Sequence, residues 1–259
     1  SAAIFWRLNA DMAVLDRAAG RNLNTRTGDS TSVRNAPDFA AYLARAEDPD
    51  FDGLLKKFAE EKRLPAFLTH ETLPHVALIF AAGPETRLIE VERNPVDLAY
   101  SWFQRGWGTR FGTDAAALIP VVAGEDGPVP WFAVDFKRAF GRSYVEMSPA
   151  DRCAASVLAL RRENASAMAK LTETQAAHVH TIAYERLVAD PWAVLDGIGD
   201  FLRTRPHDGM DGVLAREGLP GKGHGDGESR RAFLRDTVSK ELMGALDDAA
   251  ATHAVQHGV

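Results

Sequence analysis

The chain has 259 residues, 46% of them hydrophobic and 25% charged, which is ordinary for a folded globular protein. Its net charge of −6 excludes a general nucleic-acid-binding function, because such proteins present a basic surface. The single cysteine, Cys153, excludes an internal disulfide framework and favours a reducing compartment. No apolar run approaches the length of a membrane span. We therefore expect a cytoplasmic protein without a membrane-spanning segment.

The predicted elements alternate between helices and strands. Apolar residues at helical spacing (Ile4, Leu8, Met12 and Leu15) predict a first helix over residues 2–19. Further helices are predicted over residues 38–43, 51–62, 73–82, 96–105, 148–170, 190–202 and 237–253, and strands over 65–69, 87–91 and 178–184. Residues 106–127 are predicted to be irregular. Strands separated by helices favour βαβ units, and hence a single α/β domain over residues 1–259 with a parallel sheet. Residues 106–147 would form a lid or insertion on that domain.

The stretch from Arg87 to Ser101 carries the strongest chemical signal. It predicts a strand ending near Arg93, a tight turn at Asn94–Pro95, and a helix that contains Ser101. Asn94 can cap this helix, and proline suits its first position. An arginine, free backbone N–H groups and a hydroxyl would then converge at the start of the helix. This combination predicts an anion site, most naturally for a phosphate.

Three blocks of sequence carry a family resemblance. They are L-I-E-V-E-R-N-P-V-D-L-A-Y-S at residues 88–101, Y-E-R-L-V-A-D-P at 184–191 and G-K-G-H-G-D-G at 221–227. In this order they resemble the R-N-P, Y-E-D-L…D-P and R-K-G-x-x-G-D-W blocks of the sulfotransferases that use 3′-phosphoadenosine 5′-phosphosulfate. The third block is one residue shorter than the family pattern and has glycine in place of its arginine and tryptophan.

The resemblance implies a three-layer α/β fold like that of P-loop nucleotide-binding proteins, with a central parallel sheet flanked by helices. It implies sulfuryl transfer from 3′-phosphoadenosine 5′-phosphosulfate to an acceptor hydroxyl or amine, with adenosine 3′,5′-bisphosphate as product. Arg93 and Ser101 would bind the 3′-phosphate of the cofactor. Lys222, with its neighbours Gly221 and Gly223, would bind the same phosphate from the opposite side.

The general base and an adenine contact also follow from the resemblance. L-T-H at residues 68–70 is similar to the K-T-H of cytosolic members, whose histidine is the catalytic base. A neutral imidazole at His70 can accept a proton near pH 7. Glu71 is the competing candidate, since a carboxylate with a raised pKa could do the same work. Tyr184 would lie beside the adenine. The proposed chemistry needs no metal, and we predict no metal ligands.

Other functions remain open at this point. The family's 5′-phosphosulfate loop, of the form P-K-S-G-T-T-W, is not found in the sequence, and we expect it upstream of residue 1. A nucleotide-dependent kinase of related fold would need Mg²⁺ and an acidic ligand at a strand end, where Glu90 and Glu92 lie. A non-catalytic nucleotide-binding or scaffold protein would lack the loop. The acceptor could be a small molecule, a glycan or a peptide.

Overall fold

The computed structural model describes residues 2–21, 23–27, 32–36, 39–48, 50–61, 64, 66–110, 120–221 and 227–259. The chain falls into two units, residues 1–86 and 87–259. The single domain expected over residues 1–259 stays a prediction. Within the described ranges, no helix combines the length and the apolar character needed to cross a membrane.

The first unit is built from helices. They are α1 (Ala2–Ala18), α2 (Phe39–Glu47), α3 (Phe51–Glu60) and α4 (Val76–Ala82), with 3₁₀ turns at Val33–Asn35 and Leu73–His75. The buried side chains of its C-terminal part are Leu73, Val76, Ile79 and Phe80. The apolar stripe predicted on the first helix is present on α1, but its members are exposed. Helical periodicity therefore predicted the helix correctly, but it did not predict whether the apolar face of the helix is buried.

The strand predicted over residues 65–69 is wrong. Residues 66–69 are irregular, and Phe67 and Leu68 are 50% and 82% exposed. The described part of this unit contains no other strand, so the segment has no neighbour with which its backbone could pair. His70 consequently lies in a loop instead of at the end of a strand.

The second unit is mixed α/β, with a small parallel sheet. Its strands are β1 (Leu88–Glu92), β2 (Val121–Gly124), β3 (Gly127–Pro130) and β4 (Val179–Ala183). Its helices are α5 (Pro95–Gln104), α6 (Trp107–Arg110), α7 (Phe136–Phe140), α8 (Pro149–Met168), α9 (Glu173–Ala176), α10 (Tyr184–Ala189), α11 (Pro191–Leu202), α12 (Met210–Arg216), α13 (Gly227–Thr237) and α14 (Lys240–His257). The remaining 3₁₀ turns are Trp131–Ala133 and Tyr144–Glu146.

Strands β1 and β4 pair in parallel, as the alternation of helices and strands predicted. Leu88 lies opposite Val179, and Glu92 lies opposite Ala183. Both strands therefore end at the same edge of the sheet. The residues that follow them along the chain are brought together at this carboxyl edge.

The two faces of the parallel sheet contact different helices. On one face, Asn164 of α8 donates a hydrogen bond to Glu90, at 3.2 Å. On the other face, His180 of β4 stacks on Phe201 of α11, with ring centroids 5.1 Å apart. The Arg87 guanidinium also lies over the Phe201 ring, at 5.4 Å. Because side chains alternate along a strand, neighbouring residues at the edge reach opposite faces.

The main hydrophobic core of this unit lies where α5, α8 and α14 pack together. Ala99, Ala154 and Leu246 are completely buried there, and the small alanines allow the helices to approach closely. Helix α8 begins where the sequence predicted, because the Ser148 hydroxyl accepts the N–H of Asp151. The aromatic residues of the turn and helix after β3 belong to the same core.

The irregular stretch predicted over residues 106–127 is wrong in part. Helix α6 lies within it, and β2 pairs with β3 as an antiparallel hairpin. Gly124 lies opposite Gly127, so Glu125 and Asp126 form the two-residue turn of this hairpin. Phe132 and Phe136, within the proposed lid, are buried in the core.

The closing helix is displaced from its predicted bounds of residues 237–253. Ser239 precedes the first residue of α14, and the helix continues to His257. Thr237, where the predicted helix began, is the last residue of α13, a separate helix. This extension adds one further turn beyond His253, and that turn matters for the site.

Candidate functional site

Arg93 follows the last residue of β1, at the carboxyl edge of the parallel sheet. Its guanidinium lies over the ring of Tyr184, with Cζ 5.0 Å from the ring centroid. Tyr184 directly follows β4, so the parallel register brings together two residues that the sequence had assigned to the cofactor. The Arg93 Nε is buried and has no hydrogen-bond partner among the described residues. A buried unsatisfied donor costs about 1–3 kcal/mol, and more when charged, so this group is suited to an anionic ligand.

The backbone N–H groups at the start of α5 are already hydrogen-bonded. The side-chain oxygen of Asn94 accepts the N–H groups of Val96 and Asp97, at 3.0 and 3.4 Å. The N–H of Asn94 itself donates to the Glu185 carboxylate, at 2.8 Å. The predicted Asn94 cap is therefore confirmed. The prediction that free N–H groups bind an anion here is wrong, because the cap and the carboxylate occupy them. An anion at this position would have to be bound by side chains.

Ser101 lies farther along α5 than a contact at the helix start would require. It follows Asn94 by seven residues, or about 10 Å along the helix axis at 1.5 Å per residue. Asp97, in the first turn, is ion-paired at 3.0 Å with Arg230 of α13, and both side chains are largely buried. This pair neutralises the acidic group that would otherwise repel an anion near Arg93.

The glycine-rich segment contributes less than expected. The N–H of Gly221 donates to the carbonyl oxygen of Val188, at 2.9 Å, so it is already in use. Lys222 and Gly223 lie outside the described residues, and their predicted contacts with the phosphate stay predictions. Residues 222–226 contain most of the third sequence block.

The two candidate bases belong to the first unit. The side chain of His70 is exposed in the loop before the turn Leu73–His75. Glu71 has a φ of 56°, in the left-handed region that residues with a Cβ seldom occupy. Such backbone strain is concentrated at functional sites. For both residues, the role as general base stays a prediction.

The opposite face of the sheet edge carries a group that the sequence analysis missed. We call Glu92, Glu185, His253 and His257 the carboxylate–histidine cluster. His253 Nε2 donates to Glu185 at 3.0 Å, and His257 Nε2 donates to Glu92 at 2.9 Å. The two histidines are four residues apart, a spacing that places them on one face of α14. The predicted helix ended at His253, so this signal went unrecognised.

The carboxylate–histidine cluster shifts the pKa values of its members. His253 is the main cause that lowers the pKa of Glu92 to about 2, with His257 acting in the same direction. Burial alone would lower the pKa of His253, but Glu185 and Glu92 outweigh it and raise that pKa to about 9. On the same strand, burial and the charge of Glu92 raise the pKa of Glu90 to about 7. Opposite charges are therefore held together at this face near neutral pH.

Comparison with known proteins identifies no relatives. No protein-family model, no curated protein and no solved structure matches this chain. The function is therefore inferred from the side chains at the carboxyl edge of the parallel sheet and from the sequence blocks that meet there.

Proposed function

We propose that this protein is a sulfotransferase that uses 3′-phosphoadenosine 5′-phosphosulfate. The observation that carries the proposal is the buried Arg93 Nε, which has no hydrogen-bond partner among the described residues and lies beside Tyr184 at the carboxyl edge of parallel strands. Ligands of open α/β sheets bind in the crevice outside this edge. A guanidinium matches the geometry of phosphate oxygens, so the residues present fit the 3′-phosphate of the cofactor.

The surroundings of Arg93 support this assignment. Tyr184 holds the guanidinium against its ring and offers an aromatic surface for the adenine. Helix α11 contacts one face of the sheet, whereas α8 and α14 contact the other. This arrangement supports the proposed three-layer fold related to P-loop proteins. Residues 88–101 and 184–191, which resemble the family, are the two segments whose junction forms the site.

The proposed reaction assigns separate tasks to the chain. When bound, the cofactor supplies the sulfuryl group and leaves as adenosine 3′,5′-bisphosphate. Arg93 binds and orients the 3′-phosphate, with Ser101 and Lys222 as further proposed contacts. His70 or Glu71 takes the proton of the acceptor hydroxyl, a role worth roughly 10²–10⁴-fold in rate.

The test is a calorimetric titration of the protein with adenosine 3′,5′-bisphosphate, with 5′-AMP as the comparison ligand. We expect tighter binding of the bisphosphate, and a loss of about 10- to 150-fold in Arg93→Ala, since a hydrogen bond to a charged group is worth about 1.5–3 kcal/mol. Arg87→Ala is the matched control. Arg87 also lies over an aromatic ring, but at the other end of β1.

Each outcome of this titration decides something. Equal affinity for the two nucleotides, or an unchanged affinity in Arg93→Ala, contradicts the proposal and favours the kinase or scaffold alternatives. Selective binding without sulfuryl transfer to any acceptor in a labelled-cofactor assay supports a non-catalytic nucleotide-binding protein. Tyr184→Phe should bind as the parent does, because the ring that contacts Arg93 is retained.

A further inference from the structure

We propose that Glu92, His253 and His257 bind one divalent transition-metal ion, for which Zn²⁺ is the best match. Their ligand atoms all lie within 4.8 Å of one another. Glu92 Oε2 lies 2.9 Å from His257 Nε2 and 3.8 Å from His253 Nδ1. Ligands bound at about 2.0–2.1 Å around a tetrahedral zinc lie about 3.3 Å apart. The observed separations bracket this value, so small side-chain adjustments complete the site.

The buried imidazole of His253 provides an independent indication. His253 is completely buried, with 0% of its surface accessible to solvent. Its Nδ1 has no hydrogen-bond partner within the described part of the chain. That nitrogen points towards Glu92 Oε2, at 3.8 Å. A metal ion bound between this nitrogen and Glu92 would displace the proton of Nδ1 and give the buried nitrogen a partner.

The outer contacts needed by a metal-binding histidine are also present. Glu185 accepts from Nε2 of His253, which would hold the proton on Nε2 and leave Nδ1 as the nitrogen that binds the ion. The other carboxylate oxygen of Glu185 accepts the N–H of Asn94. Arg186 donates to the carbonyl oxygen of His257, at 2.6 Å, and so anchors the end of α14. The ligands are therefore held in position before any ion arrives.

The ligand set indicates which ion would bind. Two imidazoles and one carboxylate suit zinc and its neighbours in the first transition row, whereas magnesium and calcium prefer oxygen ligands. In the bound form, His257 would carry its proton on Nδ1 and present Nε2 to the ion. Three protein ligands leave a fourth position for water. The ion would join the end of β1 to α14, on the face of the sheet opposite Arg93.

Replacing Arg161 tests the proposal, because the proposal predicts the direction in which the metal affinity changes. Its Nη1 lies 3.7 Å from Glu92 Oε2, the same oxygen that would bind the ion. The positive charge of Arg161 opposes a cation there, so Arg161→Gln should bind the ion several-fold more tightly. If the cluster served only to stabilise the fold, Arg161→Gln would lower the free energy of unfolding, because an ion pair is lost. It would not raise the affinity for a metal ion.

The experiment uses the full chain, freed of metal with a chelator and titrated with Zn²⁺ against a chromophoric competitor. We expect one equivalent to bind, Co²⁺ to give the visible bands of a tetrahedral site, and X-ray absorption of the Zn²⁺ form to show two imidazole ligands. Failure to bind one equivalent, or a ligand set without two imidazoles, overturns the proposal. Both readouts use the unmodified protein, so they do not depend on any variant folding.

Variants then locate the ion. Glu92→Gln and His257→Gln should each weaken binding by more than tenfold, and Glu185→Gln by about 10- to 100-fold through the outer contact. The matched control is His207→Gln, at an exposed histidine outside the cluster, which should bind as the parent does. If folded Glu92→Gln and His257→Gln retain the parent affinity, the proposed ligands are wrong. The result is independent of the proposed sulfotransferase activity, because nucleotide affinity is measured separately.

Discussion

Replacing Asp151 by alanine should lower the free energy of unfolding by about 3 kcal/mol. Asp151 lies in the first turn of α8 and is 4% exposed. One carboxylate oxygen accepts the N–H of Ser239 at 2.7 Å, and the other is paired with Arg142 at 3.0 Å. This single side chain therefore joins the start of α8 to the start of α14, the two helices that contact β1.

The magnitude follows from burial and from the partners left behind. A hydrogen bond to a charged group contributes about 1.5–3 kcal/mol, and removing one member of a buried pair costs about 3–5 kcal/mol. The Arg142 side chain is 39% exposed and can regain water, which places the expectation at the low end of that range. At roughly 2–4 °C per kcal/mol, the melting temperature should fall by about 6–12 °C.

The assay is urea and thermal unfolding followed by circular dichroism, with Asp135→Ala as the matched control. Asp135 pairs with Arg138 at only 2.6 Å, but both side chains are more than half exposed. Water screens such a pair, so its loss should change the unfolding free energy by less than about 0.5 kcal/mol. If Asp151→Ala costs less than about 1 kcal/mol, or no more than Asp135→Ala, the reasoning from burial is refuted.

Two further predictions concern the packing around α8. Burial raises the pKa of the Cys153 thiol to about 12, so a disulfide reagent at pH 8 should label the folded protein slowly and should find one thiol per chain only after denaturation; rapid labelling in the native state would contradict this. Gly108→Ala should cost about 1–3 kcal/mol, because its Cβ would collide with the carbonyl oxygen of Pro149. The control is Gly212 in α12, where an added Cβ meets nothing within 4 Å. Gly212→Ala should therefore raise the free energy of unfolding by up to about 1 kcal/mol. Equal melting temperatures of Gly108→Ala and Gly212→Ala would disprove the steric argument.

Local chemistry made several elements predictable from the chain. Asn94, Ser148 and Asp190 each cap the helix that was predicted to begin beside them, and each is followed by a proline at the first helical position. A cap depends on residues within one turn, so it can be recognised without knowledge of the fold. The alternation of helices and strands likewise predicted the parallel pairing of β1 with β4.

Backbone hydrogen bonding beyond the local turn could not be inferred in this way. Residues 66–69 have the composition of a strand, but the described part of the first unit contains no strand with which they could pair. At the start of α5, the sequence correctly predicted the Asn94 cap, and the anion-binding role of Arg93 stays a prediction. The sequence did not reveal that Asn94 and Glu185 consume the N–H groups there, because Glu185 comes from another strand end.

The candidate sites depend on register and on helix position, which are properties of the whole fold. Parallel pairing brings Arg93 beside Tyr184, and it places Glu92 and Glu185 where both reach His253, although many residues separate them along the chain. Arg93 directly follows Glu92 at the end of β1, so one edge carries both the arginine proposed to bind an anion and the carboxylate–histidine cluster. The sequence contains every residue involved, including the histidines of α14. Only the tertiary structure decides which of them meet, because strand register and helix packing are set by the entire core and not by any local pattern.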